Sequence, residues 1–126
     1  MRQIFFQTQK IEEEFLSIHP MTLAIMDFAS EKAWDLSKDF LFLTSIVREQ
    51  KITPNDTHYL QPPPYRFVDA AILRKGGIEK TEELRTEINS HYCYDPKRME
   101  LDVIPILDHG TAPHLHFQVC PETIQR

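Results

Sequence analysis

Near the C-terminal end of the chain, His114-Leu115-His116-Phe117-Gln118-Val119 alternates polar and apolar residues one for one. Successive side chains on a strand point to opposite faces, so a period of two fits a strand with one covered and one open face. Leu115, Phe117 and Val119 then belong to a core, while His114, His116 and Gln118 project together on the other side. Such a strand cannot stand alone. Its apolar face needs a second layer and its edges need other strands. The turn-forming residues Asp108-His109-Gly110 before it allow a hairpin back onto the apolar run 101–107. Two imidazoles on one face are either a solvated outer surface or part of a polar site.

The rest of the chain can supply that second layer. Pro20-Met21-Thr22 opens a predicted helix to Leu36, in which Leu23, Met26, Phe28, Ala29, Ala33 and Trp34 recur at roughly helical spacing and are assigned to the core. Ser37-Lys38-Asp39 ends it. An earlier helix is expected over 11–18, with Glu12, Glu13 and Glu14 near its start, where the helix dipole favours anions. His19, just before Pro20, reads as a surface or hinge residue. Strands are expected over 40–48, 65–73 and 101–107, and a helix over 78–90 follows Gly76-Gly77 with Ile78, Leu84 and Ile88 on its apolar side. Pro62, Pro63 and Pro64 exclude both helix and regular ladder between the first two strands. The order helix–strand–strand–helix–strand–strand predicts an α+β fold, a small, mostly antiparallel sheet with helices packed on one side.

Size and charge narrow the function. A chain of 126 residues, 41% hydrophobic and 26% charged, fits one domain with a real core and not disorder. Its net charge of −5 comes without a basic block, which argues against nucleic acid as a partner. No apolar run is long enough for a membrane span, and the start, Met1-Arg2-Gln3-Ile4-Phe5-Phe6-Gln7, lacks the apolar stretch of a signal peptide. Synthesis in the cytoplasm is the expectation. Cys93 and Cys120 are too few and too isolated for a disulfide framework or a cysteine metal cluster, and are read as free thiols.

The polar residues that sit in apolar surroundings carry the chemistry. Asp69 interrupts the apolar run 65–73, where a carboxylate either faces water at a sheet edge or is paired or metal-bound. His58, Asp69 and His116 together offer two imidazoles and a carboxylate. Zinc takes such a set in catalytic sites, where three protein ligands leave a fourth position open and the metal acidifies a bound water. His114, one strand repeat from His116, is then the neighbouring acid or base.

These residues resemble a known family. Thr44-Ser45-Ile46-Val47-Arg48, then Thr57-His58, Arg66-Phe67-Val68-Asp69 and finally His114-Leu115-His116 resemble the zinc D-alanyl-D-alanine peptidases. Those enzymes share a metal-site plan with the lysostaphin-type endopeptidases, whose closing motif Thr111-Ala112-Pro113-His114-Leu115-His116-Phe117-Gln118-Val119 looks still more like. The resemblance covers roughly residues 40 to 119. It implies the hedgehog/D-Ala-D-Ala peptidase fold in a single domain spanning 1–126, with zinc held by His58, Asp69 and His116. It implies His114 as acid/base or oxyanion stabiliser and Arg48 as the group that grips a substrate carboxylate or carbonyl. The implied activity is hydrolysis of peptide bonds in bacterial peptidoglycan, as an endopeptidase, a carboxypeptidase or a phage endolysin acting on the wall after release.

The chain departs from this pattern at two places. Eleven positions separate His58 from Asp69, more than the family usually has, so the three prolines must loop out or His91 or His109 must replace His58. Some family members carry a glutamate where this chain has Pro113, so His114 or Asp108 has to serve as the base. Two other functions compete with the enzyme. One is an inactive metal-binding module that recognises wall peptide or a protein partner. The other is a metal-free structural protein such as a phage particle component.

Overall fold

The computed structural model describes residues 4–71, 77–105, 107–108 and 114–126, with only the backbone of 77, 78, 107 and 108. The elements run β1 (Ile4–Phe6), α1 (Gln9–Phe15), α2 (Pro20–Ser37), β2 (Leu41–Ser45), β3 (Val68–Ala71), α3 (Gly77–His91), β4 (Tyr92–Cys93), β5 (Leu107–Asp108), β6 (His114–Phe117) and β7 (Ile124–Gln125). The main sheet has the order β1-β2-β3-β6-β5, and β4 pairs with β7 in a smaller one. β1 lies parallel to β2, and the remaining pairings are antiparallel. The α+β reading holds, with a mostly antiparallel sheet.

Local chemistry sets the ends of α2. Its first turn has Pro20, whose missing N–H costs nothing there, and His19 caps it by accepting from the Met21 amide at 3.1 Å through Nδ1. His19, read as a surface or hinge residue, is a helix cap. At the other end Lys38 adopts φ 55°, ψ 39° and returns its N–H to the Ala33 and Trp34 carbonyls. Thr22, Ile25, Met26, Ala29, Ser30 and Ala33 are the buried residues, spaced three and four apart along one stripe. Trp34 falls outside that stripe. It is 43% exposed, with the Lys38 ammonium 5.4 Å from its ring centroid, so its assignment to the core is corrected. α1 begins earlier than expected, because the Thr8 hydroxyl caps it through the Ile11 amide, and it ends at Phe15.

The sheet divides its two faces by parity. Leu41, Leu43, Val68, Ala70, Leu115 and Phe117 join Ile25, Met26 and Ala29 of α2 and Leu84 and Ile88 of α3 in one core. The residues between them on β2, β3 and β6 face the other way and make the polar surface described below. The strand expectations change in several places. Among the described residues, the runs 40–48 and 65–73 pair as Leu41–Ser45 and Val68–Ala71. Ile4–Phe6 forms an additional edge strand, and Tyr92–Cys93 and Ile124–Gln125 add a small second sheet. Among the described residues of the run 101–107 only Leu107 belongs to a strand, which continues to Asp108. Val103 and Ile104 are fully buried; the Val103 carbonyl accepts from the Gln118 amide at 2.9 Å, while side chains satisfy the backbone of Ile104. Asn89 bonds both the amide and the carbonyl of Ile104, at 3.0 and 2.9 Å, and Arg85 donates to the Ile104 and Pro105 carbonyls. Gly76, Pro113 and the turn through His109 and Gly110 lie outside the described residues. Cys93 and Cys120 are buried free thiols. Among the described residues no helix is long and apolar enough to cross a membrane.

Candidate metal centre

Cross-strand register brings the first two candidate ligands together. Asp69 on the central strand β3 sits opposite His116 on β6, and opposite Ser45 on β2. His116 Nδ1 lies 2.8 Å from Asp69 Oδ1, and the Phe67 ring stacks on the imidazole with centroids 6.0 Å apart. The same register places His114 opposite Ala71, one repeat away on the same face.

His58 arrives from a loop that runs alongside the end of β2. Beyond an irregularity in register between Leu43 and Ser45, the chain leaves the sheet, and Arg48 bonds the segment 58–60 at both backbone groups, with N···O distances of 3.0 Å. His58 is buried, and its Nδ1 lies 2.8 Å from the Ile46 carbonyl. A carbonyl only accepts, so Nδ1 carries a proton and Nε2 points into the site. The eleven-residue span to Asp69 closes because Gln61 folds the proline segment back on itself. Its amide donates to the Ile46 and Phe67 carbonyls at 2.6 and 2.8 Å, and its oxygen accepts from the Arg66 and Phe67 amides at 3.2 and 3.3 Å. Gln61→Ala would leave these four backbone groups short of partners in a partly buried segment. We expect it to cost about 2 kcal/mol or more in urea unfolding, against less than about 0.5 kcal/mol for an ordinary surface substitution.

The three side chains converge on one point. His58 Nε2 is 3.1 Å from Asp69 Oδ1 and 3.3 Å from His116 Nδ1, and the three donor atoms lie within 4.8 Å of one another. With Nδ1 donating to Ile46, His58 meets a carboxylate oxygen through Nε2, and that contact needs either a second ring proton or a cation between the two atoms. The group therefore fits a metal ion, and it keeps the outer-shell contact that a ligating imidazole needs, through Ile46. Burial pushes the Asp69 carboxyl up, but hydrogen bonds and charge from His116 and His58 outweigh it and hold the group well below the usual carboxylate range. Its other oxygen, Oδ2, accepts from Arg48 Nη2 at 2.9 Å.

Arg48 was expected to face substrate, and here its guanidinium spans two protein carboxylates, reaching Asp56 Oδ1 at 2.7 Å with Nη1. His114 and Arg48 both line two clefts that open on the centre, one of about 680 Å³ toward Thr44, Phe42 and Lys10, and one of about 240 Å³ over His58 and His116. His91, a proposed substitute for His58, is instead stacked on Phe28 at 4.2 Å and meets Gln125. The other substitute, His109, and the side chain of Asp108 lie outside the described residues. Asp95, Cys120 and Glu122 also cluster, but Asp95 is taken by Arg98 and the Lys97 amide, and the Cys120 thiol donates to the Tyr94 carbonyl. Asp56 and Gln61 escaped the sequence reading, since polar residues in a loop carry no signal of burial. No protein-family model, no curated protein and no solved structure matches this chain.

Proposed function

We propose that the protein is a zinc-dependent peptidase acting on the peptide part of bacterial peptidoglycan. The observation that carries this reading is the convergence of His58 Nε2, Asp69 Oδ1 and His116 Nδ1 on one point beside an open cleft. Two imidazoles and one carboxylate suit zinc better than the harder cations, which prefer all-oxygen sites. A bound zinc ion supplies Lewis acidity for an amide carbonyl and an activated water. The chain's own residues orient the site. Ile46 fixes the tautomer of His58, Arg48 holds the outer oxygen of Asp69, and Phe67 restrains the His116 ring. His114, half-buried on the wall of both clefts, is the group available to hand a proton to the departing amine. The larger cleft is of a size that takes a short peptide.

A second reading, an inactive metal-binding module for wall peptide, draws support from Arg48. Its guanidinium is tied on both sides by Asp56 and Asp69, which leaves less of it for a substrate carboxylate. Two measurements separate the readings. Elemental analysis of protein reloaded with zinc is expected to give about one ion per chain, and mass spectrometry of digested peptidoglycan is expected to show new peptide termini. Zinc without cleavage favours the inactive module. Protein that cannot be loaded at all removes both and returns the chain to a metal-free structural role.

A further inference from the structure

We infer that Asp56 is a positioning residue of the metal centre, coupling His58 to Asp69 through Arg48. This inference rests on reading the centre as a metal site. The Asp56 side chain is only 2% exposed although it belongs to a loop, and its carboxylate is fully engaged. Oδ1 accepts from Arg48 Nη1 at 2.7 Å and from the His58 amide at 3.0 Å, and Oδ2 accepts from the Ile52 amide at 3.1 Å. One oxygen thus touches both the backbone of one ligand and the guanidinium that grips another. The contacts close into a ring: Asp56 to Arg48, Arg48 to Asp69, Asp69 to the His58 ring, and His58 through its own amide back to Asp56. Two anions share one cation. Without Asp56, Arg48 would be free to draw Asp69 away from the imidazoles, and the loop 52–58 would lose the acceptor that sets the height of His58.

Outer-shell partners of metal ligands typically change affinity by about 10- to 100-fold when removed. The test is zinc competition against a chromophoric chelator, with cobalt substituted for zinc to read ligand geometry from its visible spectrum. Asp56→Asn keeps the shape but removes the charge and one acceptor, and is expected to weaken zinc binding about 10- to 100-fold and alter the cobalt bands. Arg48→Lys cannot span both carboxylates with a single ammonium and is expected to do the same. If the two act as one relay, the double variant is no weaker than the worse single one. The core variant Ile25→Val lowers overall stability and should leave metal affinity unchanged. In metal-free protein, hydrogen exchange at the His58 and Ile52 amides should accelerate in Asp56→Ala. Native affinity and an unchanged cobalt spectrum in folded Asp56→Asn, or full additivity with Arg48→Lys, overturns the inference while leaving the metal reading intact. Parent protein that takes up no zinc overturns both.

Discussion

His116→Ala is expected to lower zinc affinity on the order of 100-fold or more, since it removes a direct ligand where even outer-shell losses reach that size. The fold should survive. β6 keeps Leu115 and Phe117 in the core, and its backbone pairing with β3 does not involve the imidazole. His58→Ala should be worse for the protein than for the sheet, because it opens a cavity against Ile46 and leaves its carbonyl with Gln61 alone. His19→Ala is the informative control. It loses a helix cap, costing about 1 kcal/mol, yet binds zinc like the parent. Zinc at 100 times its dissociation constant stabilises a folded protein by about 2.7 kcal/mol, so thermal unfolding with and without metal reads out the same differences. Acid adds a second expectation for the metal-free protein. The Asp69 carboxyl is depressed in the folded state, so its contribution to stability is full above the ordinary carboxylate range near pH 4 and is lost as pH falls below it. An Asp69→Asn variant should lack that part of the acid unfolding. Retained zinc in His116→Ala would mean that the metal sits elsewhere.

His114→Ala is expected to keep its zinc and its fold and to lose cleavage of a muropeptide by on the order of 100-fold or more. The reasoning is geometric. His114 lies opposite Ala71, a full strand repeat from the Asp69–His116 pair, and it is absent from the convergent group of donor atoms. It borders both clefts, where a reacting amide has to lie if the centre is catalytic. Loss of metal in this variant would make His114 a ligand. Undiminished turnover would move the proton transfer to another group, with Asp108 next in line on the paired strand β5.

Much of this was legible because the sheet has one apolar and one more polar face. The alternation in His114-Leu115-His116-Phe117 survives intact in β6, and a carboxylate inside an apolar run marked Asp69 correctly as a buried group that needs partners. α2 was equally readable, since Pro20 and the apolar stripe are local signals. What failed was non-local. Ile4-Phe5-Phe6 is a strand only because Leu41-Phe42-Leu43 runs beside it, two helices later. The segment 101–105 has a strand's composition, but Pro105 cannot donate and Asn89 and Arg85 bond the backbone of Ile104 and Pro105. Arg48 and Asp56 show the same limit at the site. Their charges are visible in the sequence, but which carboxylate meets which guanidinium is decided by the path of the loop.

The centre is built in two halves of unequal stiffness. Asp69 and His116 are neighbours across a ladder in the middle of a five-stranded sheet and cannot separate without breaking it. His58 rides on a loop fastened by Gln61, Asp56 and the backbone of Arg48. An ion held by this group is expected to enter and leave through movement of the His58 side, the half that is not part of the sheet. Exchange kinetics should follow how tightly that loop is fastened, and a variant there can change residence time while the sheet half stays as it was.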